Sequence, residues 1–252
     1  MRMMPKKRTP RKKKSTSNKV NCRDELEGVD ELGAIADNAE SVRLRIARAC
    51  ERSHRETDLV TLIAVTKNFP SDAVRVAFVS GIRDFGENRV QEAASKYGEL
   101  GDIRSSLRLH FIGHLQTNKV REALEISDVI HSIDSLKLAE AVDRHAAEIV
   151  QCLLEVNVAG EQSKHGFRVE DLDGAAKAIK ALHNIEIAGL MTIAPLVDNP
   201  EDVRPVFVQL RELNHRYGFR QLSMGMTDDF EIAIEEGSTM VRIGRAIFGE
   251  RR

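Results

Sequence analysis

Cysteine is scarce in this chain: Cys22, Cys50 and Cys152 are the only three, widely spaced and without a CxxC pair. An odd, scattered set supports neither a disulfide framework nor a structural zinc site. No apolar run approaches the roughly 18 residues of a transmembrane helix. The first strand-like run is not followed by a GxGxxG turn, the usual mark of an open dinucleotide-binding sheet. No secretory signal opens the sequence, so a reducing cytoplasm is the expected compartment. Acids are missing from the first 19 residues, which hold nine Lys and Arg. Of 38 basic residues that leaves 29 against 39 Asp and Glu, so a formal net charge of −1 hides a body of about −10. A body of that sign is a poor match for nucleic acid or an anionic membrane. The basic tail has two prolines and almost no apolar residues. It is expected to be disordered over 1–29, as a solvated charge run rather than a tether.

A helical pattern starts at Glu31, with Leu32, Ile35, Ala39, Val42, Ile46 and Ala49 at three- and four-residue steps. It precedes any strand. Eight short apolar runs follow, predicting strands at 60–65, 82–85, 109–112, 129–133, 152–156, 185–189, 221–223 and 240–243. Helix-period segments separate them, with Ser or Asp near several starts and Gly after several ends. This alternation predicts an α/β fold, a (β/α)8 TIM-type barrel over 30–252 with an extra N-terminal helix. An open doubly wound sheet is the alternative. Only nine residues follow the last predicted strand, so no second domain is expected.

In such a barrel, ligand-binding groups belong at the C-terminal ends of the strands. The residues there are Lys67, Glu87, Asn88, His114, Asp134, Asn157, Met191, Thr192, Ser223 and Arg242. Lys67 directly follows the apolar run "LIAVT", so its stem must cross the barrel mouth. An amine held in a partly desolvated pocket loses proton affinity and becomes a nucleophile toward aldehydes. A lysine snorkelling at the rim is the plainer alternative. "SMGMTDD" and "VRIGRAIFG" lie where barrels commonly bind phosphate, after the seventh and eighth strands. Gly225 and Gly244 let main chain approach an anion, and Ser223 and Arg245 could add donors. A nucleophilic amine facing a phosphate cradle calls for a phosphorylated aldehyde. Pyridoxal 5′-phosphate (PLP) and a sugar-phosphate Schiff base fit that description equally.

The blocks "AVTKNFP", "DFGENRVQE", "LHFIGHLQTNK", "VNVAGEQSKHGF", "GLMTIAP" and "SMGMTDDFEIAIEEGSTMVRIGRAIFG" occur in that order from about Asp30 to Arg252. Together they resemble the pyridoxal phosphate homeostasis proteins. The resemblance implies a single-domain barrel like the N-terminal domain of bacterial alanine racemase, with PLP bound covalently. Lys67 matches the Schiff-base lysine, and Asn88, His114, Asn157 and Met191 match residues around the same mouth. Ser223, Gly225, Gly244 and Arg245 match the phosphate site, and Arg242 the arginine that faces the pyridine nitrogen. Position 245 more often carries Thr or Ser in that family, which puts the side-chain contact to phosphate in question here. Thr227 replaces a serine and retains the hydroxyl.

An arginine at the ring nitrogen disfavours a protonated, strongly electron-withdrawing ring. Racemisation would be the least demanding chemistry left, and it needs a second base. In the racemases that base comes from a further β-rich domain of a partner subunit, and Tyr97 and Tyr217 here fall in helical segments. The expectation is therefore a monomeric PLP-binding protein without efficient turnover, which stores, buffers or delivers the cofactor to apo PLP-dependent enzymes. The alternative is a PLP-dependent amino-acid racemase. Lys164, in "GEQSKHG", is expected to be solvated surface rather than a second amine acceptor.

Overall fold

The structure, a computed structural model, describes residues 22–250. The basic tail over 1–21 lies outside the described residues. Helix α1 (Cys22–Arg52) begins ahead of the periodic pattern that starts at Glu31, so 22–29 are helical rather than part of the tail. Helical backbone needs no apolar face, and a sequence rich in acids suits a helix start. Ile35, Ala39, Val42, Ile46 and Ala49 are all buried, as the spacing requires.

Eight parallel strands then close into a barrel in sequence order. They are β1 (Thr61–Val65), β2 (Asp84–Glu87), β3 (Arg108–Phe111), β4 (Val129–Ile133), β5 (Val150–Glu155), β6 (Ile185–Met191), β7 (Gln221–Ser223) and β8 (Met240–Ile243). The ring closes where β8 returns to β1, with Ile63 opposite Arg242 and Ala64 opposite Ile243. The connecting helices are α2 (Ser71–Val79), α3 (Val90–Gly98), α4 (Val120–Ile126), α5 (Leu136–His145), α6 (Leu172–Ile179), α7 (Arg204–Arg216), α8 (Phe230–Glu235) and the short α9 (Arg245–Phe248). Helix α1 packs outside the ring against α2, α8 and α9, and Arg45 and Arg52 of α1 pair with Glu231 and Glu235 of α8 at 3.1 and 2.7 Å. No helix among the described residues is long and apolar enough to cross a membrane.

Strand β2 departs most from expectation, running two residues further than the predicted 82–85. Gly86 and Glu87 have low strand propensity, but ladders on both sides override it, pairing Val65 with Gly86 and Glu87 with Phe111. Alternation sorts the side chains. Ala64, Phe85, Leu109 and Val241 face α1, α2 and α3, while Ile130, Cys152, Leu154 and Leu222 face the other helices. Inside the ring, Ile63, Val129, Leu153, Met191 and Met240 form a small apolar plug. Toward the C-terminal ends the interior turns polar.

Candidate functional site at the barrel mouth

Lys67 sits two residues past the end of β1, in a turn closed by Phe69 N–H donating to Thr66 O at 3.0 Å. Asn68 takes the left-handed conformation in that turn, at φ 66°, which asparagine tolerates better than most residues. Lys67 is half-buried, in the turn that follows Val65 of β1. Asn88 follows β2 on the inward register of Gly86, and its Oδ1 is buried without a hydrogen-bond partner. The same holds for Asn157 Oδ1 beyond β5, while its Nδ2 donates to Glu161 O at 2.8 Å. Asn88 is pressed against the β3 loop: a Cβ on Gly113 would come 2.3 Å from Asn88 O, so only glycine fits there.

At the far side of the ring, Gly225 has φ 94°, and a Cβ there would lie 2.6 Å from Ala233 Cβ and 2.9 Å from Phe230 Cα. The loop after β7 therefore rests directly on the start of α8. Gly244 precedes α9 and lies beside β1, where a Cβ would be 3.5 Å from Val65 O. This puts the loop after β8 next to the strand that carries Lys67. The side chain of Arg245 turns to Asp228, in an exposed ion pair.

Arg242 and Ser223 are buried inside the ring and belong to one chain of hydrogen bonds. Arg242 Nη1 donates to Ser223 Oγ at 2.5 Å, and Nη2 donates to Thr192 O at 2.8 Å. His131 Nδ1 lies 3.0 Å from Ser223 Oγ, His131 Nε2 is 2.9 Å from His110 Nδ1, and His110 Nε2 is 2.9 Å from Asp84 Oδ1. A guanidinium can only donate, so the serine hydroxyl proton is available to His131 Nδ1. His131 is held well below the usual imidazole range, first by burial and then by nearby groups including Arg242 and Arg108. Neutral His131 carries one ring proton, and the nitrogen that holds it sets the direction of its bonds to Ser223 and His110. The hydroxyl of Ser223, expected to bind phosphate, is spent inside this chain.

Two carboxylates complete the interior. Glu155 ends β5 beside Asp134, which follows β4, and burial raises Glu155 to about 7, with Asp134 adding to the rise and Arg242 opposing it. Burial likewise lowers Arg242 to about 10, against attraction from Asp229 and Glu155, so it remains a cation at neutral pH. His114 points to the rim: its Nδ1 is 3.0 Å from Asp134 Oδ2, and its ring stacks on His165 at 3.9 Å and 13°. His165 Nδ1 is 3.9 Å from the same oxygen. The parallel rings aim their lone pairs along parallel planes, not at a common point about 2 Å from each, as a bound cation would need. The trio is a clasp between the β3 and β5 loops. Lys164, in the β5 loop, pairs with Glu161 at 2.7 Å and donates to Ala194 O at 3.1 Å, a loop brace rather than bare surface.

Lys67, Asn88, His114, Asn157, Met191, Ser223, Gly225, Arg242, Gly244 and Arg245 thus lie at or just beyond the C-terminal ends of the strands, around one end of the ring. The side chains of His114 and Arg245 are engaged by Asp134 and Asp228. Sequence reasoning did not find His131, His110 or Glu155. Their signal was strand alternation: His131 shares a face with Val129 in β4, and Glu155 lies between Leu153 and Asn157 on one face of β5.

The description "Alanine racemase, N-terminal domain" matches residues 31–252, which defines the chain as a barrel of the alanine racemase N-terminal type. Within that class, a pyridoxal phosphate homeostasis protein of Aquifex aeolicus is 45% identical over 217 residues, spanning 82% of this chain and 94% of its own. That of Escherichia coli K12 is 42% identical over 231 residues, 87% of this chain and 98% of its own. PipY of Synechococcus elongatus, solved with PLP bound, superposes with a TM-score of 0.74 at 37% identity, covering 85% of this chain and all of PipY. The chain belongs to the pyridoxal phosphate homeostasis protein family.

Proposed function

We propose that this protein binds PLP in the barrel mouth as a Schiff base on Lys67 and serves intracellular vitamin B6 homeostasis by storing, buffering or delivering it. The observation that carries the reading is the convergence of a half-buried lysine in the turn after β1, a buried arginine on β8 and glycine-built loops after β7 and β8. The residues fit the group. Lys67 offers the amine, Asn88 and Asn157 present buried amide oxygens without partners, and main chain at Gly225, Gly244 and Arg245 can approach an anion. When bound, PLP supplies an aldehyde carbon that condenses with amines and a ring that withdraws electrons.

Arg242 stays charged and is fixed by Ser223 and Thr192, so it would present a cation to the ring of a bound PLP. Such a neighbour keeps that nitrogen unprotonated and weakens the electron sink. That favours holding the cofactor over breaking bonds with it. The racemase alternative gains nothing from the tyrosines. Tyr97 is buried behind the barrel with its hydroxyl 3.4 Å from Thr66 Oγ1, and Tyr217 follows α7 and pairs with Asp173. The names of the relatives point the same way, to homeostasis rather than to a reaction.

The test is an absorption spectrum of the purified protein before and after borohydride, with the reduced adduct mapped by peptide mass. The expected adduct is on Lys67, and Lys67→Ala should lose the visible band. A Lys67→Ala protein with the band unchanged would sink the assignment. Transfer of PLP to an apo-enzyme, against turnover in a panel of amino acids, separates carrier from racemase.

A further inference from the structure

The backbone on both sides of Lys67 is gripped from outside the ring. The carbonyl of Thr66 accepts a hydrogen bond from Lys96 Nζ at 2.5 Å, and the hydroxyl of Thr66 donates to Glu87 Oε1 at 2.7 Å. On the other side, the N–H of Asn68 donates to Glu92 Oε1 at 2.5 Å. Lys96 Nζ joins the two halves, donating to Glu87 Oε1 at 2.6 Å and to Glu92 Oε1 at 3.1 Å. One ammonium thus ties together both carboxylates, and each carboxylate holds one flank of Lys67.

These contacts lie behind the mouth, not in it. Glu87 shares the outward register of Phe85 in β2, and both it and Thr66 meet α3, which supplies Glu92 and Lys96. Glu87 is fully buried and Lys96 is 6% exposed. Burying such a pair is a poor route to stability, since apolar side chains of similar volume do as well or better. Its return is geometric, because charge-assisted hydrogen bonds are short and directional. The turn needs such support, with Asn68 in the left-handed region.

We propose that Glu87, Glu92 and Lys96 are positioning residues for Lys67, clamping the two peptide groups that flank it and so fixing how its amine enters the mouth. The proposal rests on Lys67 being the amine that holds PLP, and the test keeps the two apart. Glu92 is the residue to change, being partly exposed at the edge of the clamp. In full-length protein, Glu92→Ala and Glu92→Gln are compared with wild type by three readouts. These are amide deuterium exchange over 66–70 without ligand, affinity for pyridoxine 5′-phosphate, which lacks the aldehyde, and the rate at which borohydride-trappable PLP accumulates on Lys67.

For Glu92→Ala, exchange should be about tenfold faster and trapping about tenfold slower, with pyridoxine 5′-phosphate affinity held within about twofold. Glu92→Gln, which keeps an acceptor oxygen for Asn68, should recover most of the trapping rate. The clamp is refuted if Glu92→Ala traps PLP at the wild-type rate, or if pyridoxine 5′-phosphate affinity falls as far as trapping does. It is refuted equally by unchanged exchange over 66–70. Absence of any trapped adduct on Lys67 in wild type refutes the PLP-lysine reading instead, and exchange then still judges the clamp.

Discussion

Glu155 allows a quantitative test of how polar the barrel interior is. It ends β5, is 7% exposed, and titrates at about 7, raised first by burial and then by Asp134, with Arg242 opposing. The unfolded chain binds the same proton near the ordinary carboxyl value, about 4.3. The folded state therefore holds the proton more tightly. Its contribution to stability is complete below about pH 4.3, is lost progressively as pH rises from there through about 7, and changes no further above that. The difference amounts to about 4 kcal/mol. Glu155→Gln keeps the volume and cannot ionise, so it should match wild type near about pH 4 and exceed it above about pH 7. One effect works against the gain: Glu155 also attracts Arg242, and that attraction is lost. The expected advantage above pH 7 is therefore about 1 to 3 kcal/mol. Urea unfolding of PLP-free wild type and variant, from about pH 4 to about pH 8.5, reads it directly. Stability curves that run parallel across that range would refute the reasoning, as would a variant less stable at the alkaline end.

Lys96→Met should cost about 3 to 5 kcal/mol by leaving Glu87 buried without its cation, and adding Glu87→Gln should recover most of that loss in thermal unfolding. Gly189→Ala should lower the melting temperature sharply, because its Cβ would fall 1.8 Å from Gln221 O, where β6 and β7 pair. The backbones must separate, at a cost of about 3 kcal/mol or more. His131 should stay neutral, so its imidazole NMR signals should not move between about pH 5 and about pH 8. A titration in that range would contradict a buried, neutral His131.

What was legible in the sequence follows from the range of the forces involved. Strand runs such as "LIAV" and "VIHSI" and the spacing of Ile35, Ala39, Val42 and Ile46 are local patterns, and eight of them imply a ring. Lys67 and Arg242 stand out because one is a charge set just after an apolar strand and the other a charge within one, a local cost that calls for a reason. Ser223 shows where local reading stops. Its position at a strand end suggests a ligand contact, yet its hydroxyl is claimed by His131, which belongs to β4 on the opposite wall. Alternation says that both face inward, but which residues meet across the ring depends on strand stagger, a property of the closed barrel. The ion pair of Arg245 with Asp228 is similarly a product of the loop after β7 folding back on α8. The clamp behind Lys67 is intermediate. Glu92 and Lys96 are four apart and so share a helix face, but that this face meets Thr66 and Asn68 is decided by how α3 seats on β1 and β2. The amine itself was therefore visible in the sequence, whereas its aim depends on contacts that exist only once the ring has closed.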